Sequence, residues 1–128
     1  MNNQRSKEER RKFKRIPVRF DLIYKINRPP SIRISMREKE MFAWLVDISE
    51  GGMALIAEDQ FPDAVSLDLT FHLIFKDQQT PPMHAEGRVC YKILLTDIPG
   101  YRIGIEFTKI DKQDKQAIID FVNKTKYE

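Results

Sequence analysis

The 128-residue chain has one cysteine, Cys90, and two histidines, His72 and His84. A lone cysteine cannot form an intramolecular disulfide or build a zinc cluster. The histidines lack a ligand pattern and read as polar residues on strand faces, and Cys90 reads as a small buried or half-buried side chain. No metal site and no cofactor are expected. No apolar run approaches the ~18 residues that span a bilayer, so membrane insertion is not expected. The charged start lacks the apolar region of a signal peptide, which points to a cytoplasmic protein. There is no Walker loop, no Gly-x-Ser-x-Gly and no convincing Ser/His/Asp arrangement. No catalytic residue is assigned, and the chain does not read as an enzyme.

What the chain does have is charge, unevenly placed. Lys and Arg number 22 against 19 Asp and Glu, a net of +3. Residues 1–20 carry 8 basic side chains and 2 acids, a net of +6, so the remaining 108 residues are net −3. A basic arm over residues 1–15, flexible or partly helical, thus precedes a mildly acidic body over residues 16–128. Such an arm meets phosphate, an anionic surface or an acidic partner.

The body alternates as strands do. Residues 18–26 place Val18, Phe20, Leu22 and Tyr24 on one face. Residues 41–48 are apolar up to Asp47, Ser49–Gly52 reads as a turn, and residues 53–57 return as a hairpin. Residues 64–75 read as one long strand with Val65, Leu67, Leu69, Phe71, Leu73 and Phe75 inward. Gln78–Pro82 reads as a turn. Residues 83–94 place Met83, Ala85, Val89, Tyr91 and Ile93 inward, and the last strand does the same with Tyr101, Ile103, Ile105 and Phe107. After Ile110 the period becomes helical, with Ala117, Ile118, Phe121 and Val122 on one face and Asp111 as N-cap, giving a helix over about 111–125. Six meandering antiparallel strands without protected edges favour closure into a small barrel covered by the helix.

Two groups of residues carry chemistry. Arg10-Arg11-Lys12-Phe13-Lys14-Arg15 offers forked guanidinium donors that fit phosphate oxygens, stack on rings and bind the N7 and O6 edge of guanine. The plain alternative is a solvated basic tail, which composition alone favours. Asp47-Ile48-Ser49-Glu50-Gly51-Gly52 lies at a strand end. There a carboxylate can accept from the N1–H and N2–H₂ edge of guanine, and a hydroxyl can donate to phosphate or base. Gly52 can admit close backbone approach or a positive φ. The alternative is a hairpin turn in which Asp47 and Ser49 satisfy local backbone groups.

Together, the arm with Arg-x-x-x-Arg (Arg11, Arg15), the strand after it and the Asp-x-Ser-x-x-Gly at a later strand end resemble the PilZ domain family. Ile16-Pro17-Val18, the segment Tyr101–Phe107 and the C-terminal helix add to the resemblance, which spans roughly residues 8–124. It implies a six-stranded antiparallel barrel of the split-barrel kind with a terminal helix, and a receptor for cyclic di-GMP. By that likeness Arg11 and Arg15 contact phosphates and guanine edges, Asp47 and Ser49 read guanine, and Gly52 shapes the turn. In this family an arginine at the position of Arg10 accompanies binding of a stacked ligand dimer. The implied role is an adaptor that relays the signal to an unidentified downstream protein. The competing readings are a PilZ-like interaction module without ligand binding and a small nucleic-acid-binding barrel. The second is disfavoured by the net acidic body and by aromatics placed on inner faces.

Trp44 stands three residues before Asp47. In a regular strand an odd separation puts the two on opposite faces, so Trp44 is expected in the core and not as a base-stacking platform. The segment 27–40, with Arg28-Pro29-Pro30, is longer than a plain connection needs and reads as a decorated loop.

Overall fold

A computed structural model describes residues 16–28, 40–58 and 65–126. Arg10, Arg11 and Arg15 of the arm and most of the 27–40 segment lie outside the described residues. The chain forms β1 (Ile16–Arg28), β2 (Met41–Ser49), β3 (Gly52–Ala57), β4 (Ser66–Phe71), β5 (Ile74–Phe75), β6 (Gln78–Gln79), β7 (Met83–Leu94), β8 (Tyr101–Ile110) and α1 (Lys112–Lys126).

Six of these strands close an antiparallel barrel in the order β1-β2-β3-β8-β7-β4, with β4 pairing back onto β1. The barrel is as expected, but it is not a simple meander. β3 neighbours β8 and not β4, so the chain crosses from one side of the barrel to the other between them. Closure removes the free edges that an open sheet of this size would expose.

Alternation supplies the core. Leu22 and Tyr24 of β1, Leu45 and Ile48 of β2, Leu55 of β3, Leu67, Leu69 and Phe71 of β4 and Ile103 of β8 are all sealed from solvent. α1 adds Ile118, Phe121 and Val122, the 3.6-period face foreseen, and packs against β1 and β2. Phe121 meets Phe20 edge to face, with ring centroids 6.0 Å apart. Asp111 occupies the N-cap position, where its carbonyl accepts from Lys115 N at 2.9 Å. Asp114, in the first turn, accepts from His84 N of β7 at 3.2 Å, tying the start of the helix to the barrel.

The expected strand 64–75 is interrupted. β4 ends at Phe71, and Ile74–Phe75 pairs instead with Gln78–Gln79 as a separate small hairpin. Its two-residue turn is Lys76-Asp77, both at positive φ (50° and 66°), the primed geometry that matches strand twist. Gln78–Gln79 is therefore strand and not turn. Thr80 fixes the departure point: its N–H donates to Leu73 O at 2.9 Å, and its hydroxyl accepts from Leu73 N at 3.0 Å. His72 donates from Nδ1 to the Thr80 carbonyl at 2.8 Å.

Two bulges reverse expected faces. Between Leu45 and Asp47 the pairing with β3 slips by one residue. Ile48 is thereby returned to the core, and Trp44 is 43% exposed on the outside. The core placement of Trp44 is thus corrected, because an extra residue inverts the parity on which it rested. Between Val89 and Tyr91 a second slip does the same in β7. Tyr91 turns outward to lie over Gly104, where an added Cβ would strike its ring. Ile93, expected inward, is 54% exposed. Cys90 is also exposed, with its sulfur 3.7 Å from Arg88 O.

Candidate functional site

The hairpin β2–β3 carries Asp47, Ser49 and Gly52 together. Its turn is held from three sides. Ser49 Oγ accepts from Gly51 N and donates to Gly52 O, both at 3.3 Å. Phe107 N of β8 donates to Gly51 O at 2.9 Å. Lys115 of α1 reaches Glu50 at 3.7 Å, a part-exposed pair of small energetic weight. Ser49 therefore does what the local-backbone alternative foresaw: it closes its own turn.

Gly52 is needed for space and not for a positive φ. Among the described glycines only Gly100 has positive φ. A Cβ on Gly52 would run into the carbonyl oxygen of Ile105, so the close approach of β3 to β8 requires its absence.

Asp47 is buried, and its carboxylate reaches across to β8. Arg102 of β8 donates from Nη2 to Asp47 Oδ2 at 2.5 Å. The Arg102 side chain is 35% exposed and that of Asp47 12%, so the pair straddles the boundary between barrel wall and solvent. Charge-assisted contacts of this kind hold an acceptor in place. Sequence reasoning gave Arg102 no role beyond its place in the Tyr101–Phe107 segment. The available signal was its position: between inward Tyr101 and Ile103, a cation on β8 must face outward.

The outer wall beside this pair is a continuous cross-strand row. Asp21 pairs with Trp44, Trp44 with Ile56, Ile56 with Arg102 and Arg102 with Ile93. The bulge after Leu45 thus puts Trp44 on the same face as Asp47. The Arg19 guanidinium carbon lies 4.9 Å from the centre of the Trp44 ring, a cation–π contact. Trp44 and Arg19 line an open groove of about 550 Å³ together with Asp21, Phe42, Ile56, Glu58 and Ile98.

The basic arm joins the barrel at this place. Ile16, the residue after Arg15, pairs with Ile48, and Pro17 pairs with Asp47. β1 therefore begins directly across the ladder from the Asp-x-Ser stretch. No cluster of three or more His, Cys, Asp or Glu side chains is placed to hold a metal ion among the described residues. No helix among them is long and apolar enough to cross a membrane.

The chain belongs to the PilZ domain family, whose model matches residues 9–124. Solved structures share the fold at low sequence identity. The Bacillus subtilis inhibitor of motility MotI/DgrA matches with TM-score 0.75 and 20% identity, over 92% of this chain and 52% of that one. The PilZ domain of Escherichia coli YcgR with c-di-GMP matches with TM-score 0.61 and 14% identity, over 92% of this chain and 95% of that domain. The K. pneumonia MrkH–c-di-GMP complex matches with TM-score 0.56 and 18% identity, over 92% and 55%. The chain spans about half the length of MotI/DgrA and of MrkH. No curated protein matches the sequence.

Proposed function

We propose that this chain is a cyclic di-GMP receptor whose basic arm and β2–β3 hairpin together hold the ligand. The observation that carries this reading is the β1–β2 register. The arm that bears Arg10, Arg11 and Arg15 enters the barrel at Ile16 and Pro17, opposite Ile48 and Asp47. The start of β1 and the Asp-x-Ser stretch are thereby neighbours on one ladder, and the chain joins the Arg-x-x-x-Arg motif, about thirty residues earlier in sequence, directly to that point. The family supports the same ligand, as do the names of two fold neighbours that bind it.

The chemistry follows from the ligand's parts. Two phosphates call for forked cationic donors, which Arg11 and Arg15 supply. A guanine N1–H and N2–H₂ edge calls for an acceptor held in position, which Asp47, braced by Arg102, supplies. Ser49 and Gly52 keep the hairpin tight enough to present it. Arg10 adds charge and a stacking surface for a second ligand molecule, so the site takes a stacked dimer. Binding neutralises a crowded cationic arm and orders it against the barrel, and that changed surface is what a downstream protein senses. The protein acts as an adaptor, with no catalytic step of its own.

An equilibrium titration tests this. Cyclic di-GMP should bind saturably, with two ligands per chain. Arg15→Ala should cost a few kcal/mol of binding, as removal of a charged hydrogen-bonding partner does. Unchanged affinity in Arg15→Ala contradicts the assigned role, and one ligand per chain contradicts the dimer.

Nucleic-acid binding is the reading that exposed Phe42 and Trp44 revive, since outward aromatics serve as base-stacking platforms. The carboxylates of Asp21 and Glu58 in the same groove weigh against a tracked polyanion.

A further inference from the structure

We infer that the Trp44 groove is a stacking subsite for a guanine base of the ligand, an extension of the site at Asp47. This rests on the receptor reading above and names a part of the site that neither motif contains.

The starting point is an aromatic side chain where burial would be expected. Trp44 is the only tryptophan of the chain and is 43% exposed on the barrel wall. Its ring is already held, with Arg19 4.9 Å from its centre. Indole and guanidinium are both planar and polarisable, and both stack on nucleobases. A ring fixed in this way loses little further freedom when a base settles on it.

The lining of the groove selects among ligand parts. One cation, Arg19, faces two carboxylates, Asp21 and Glu58. That balance repels phosphate. It suits a neutral base whose edge donates hydrogen bonds, as guanine's N1–H and N2–H₂ do, and the apolar walls formed by Phe42, Ile56 and Ile98 suit its faces. The volume, about 550 Å³, lies in the range of small-molecule sites.

Placement links the groove to the reader carboxylate. Asp47 pairs with Ala54 and Trp44 with Ile56, two residues apart on β3 and on the same face. The two positions are therefore about 7 Å apart along the strand. A ligand with two bases, or two stacked ligands, can present one base edge at Asp47 and lay another on Trp44. The bulge between Leu45 and Asp47 is what makes this possible, because without it Asp47 would follow Met41, Ala43 and Leu45 inward, on the face opposite the indole.

The lone tryptophan is its own probe. Cyclic di-GMP is titrated into the full chain while calorimetric heat and tryptophan emission are followed. The expected result is quenching of Trp44 emission with the same midpoint as the heat. Trp44→Ala should weaken binding by about tenfold or more, and Trp44→Phe, which keeps a stacking ring, should stay within about threefold of the parent. Arg19→Ala should fall between. Trp44 is at the surface, so these variants should keep the parent melting temperature to within a few degrees. Heat without any change in emission, or parent affinity in Trp44→Ala, overturns the subsite and leaves the receptor reading standing. No heat from the parent protein overturns both.

Discussion

The Asp47–Arg102 pair is the residue-scale feature on which the candidate site turns. It joins strands β2 and β8 across the width of β3 and fixes an acceptor at the barrel surface. Removing one partner strands a charge that is at least partly desolvated. Arg102→Ala should therefore lower stability by about 1–2 kcal/mol, discounted for the exposure of its side chain. The double variant Asp47→Ala/Arg102→Ala should recover part of that loss, giving a coupling energy of at least about 0.5 kcal/mol in urea unfolding. Strict additivity of the two single changes would mean that the pair contributes nothing. Gly52 supports a second expectation at this scale. Gly52→Ala places a methyl against the backbone of Ile105 and should cost about 1–3 kcal/mol, as other overpacked sites do. A melting temperature equal to the parent's would show that β3 and β8 can separate without penalty.

At the scale of elements, periodicity was a good guide wherever strands are regular and a poor one where they are not. β1, β3, β7 and α1 lie within a few residues of the expected spans, because enough inward side chains repeat at a regular spacing to mark each element, even in β7, whose far end turns outward after its bulge. The errors have specific causes. Trp44 and Tyr91 each follow or precede a bulge, and a bulge carries no residue signature when its extra position is an ordinary Val46 or Cys90. The hairpin at Lys76-Asp77 was missed because its turn uses left-handed residues without glycine or asparagine. That makes it improvable. Lys76→Asn/Asp77→Gly should stabilise the protein by about 0.5–1 kcal/mol, since both new residues adopt positive φ at lower cost. Thermal unfolding reads this directly, and a lower midpoint would contradict the turn geometry. The acceptor and hairpin half of the site was legible in the hexapeptide 47–52. Arg102 was not, because its partnership depends on β8 lying two strands away from β2.

For the whole molecule, the topology fixes where the basic arm leaves the barrel relative to the Asp-x-Ser stretch. The barrel is closed, so the position where β1 starts is set by its ladder with β2, and the arm has one point of departure. The strongly basic segment is thus anchored beside a body of net negative charge. Affinity for a doubly charged ligand held this way should fall as salt rises, because arginine–phosphate attraction is screened. Affinity independent of salt between low and physiological ionic strength would argue against phosphate recognition by the arm.

The most direct test of the account is an isothermal titration of cyclic di-GMP into the wild-type chain, with the double variant Arg11→Ala/Arg15→Ala measured beside it. The account predicts saturable binding by the wild type and its loss in the variant, with the barrel's melting temperature unchanged. Equal binding by both proteins, or no binding by the wild type at high ligand concentration, would contradict it.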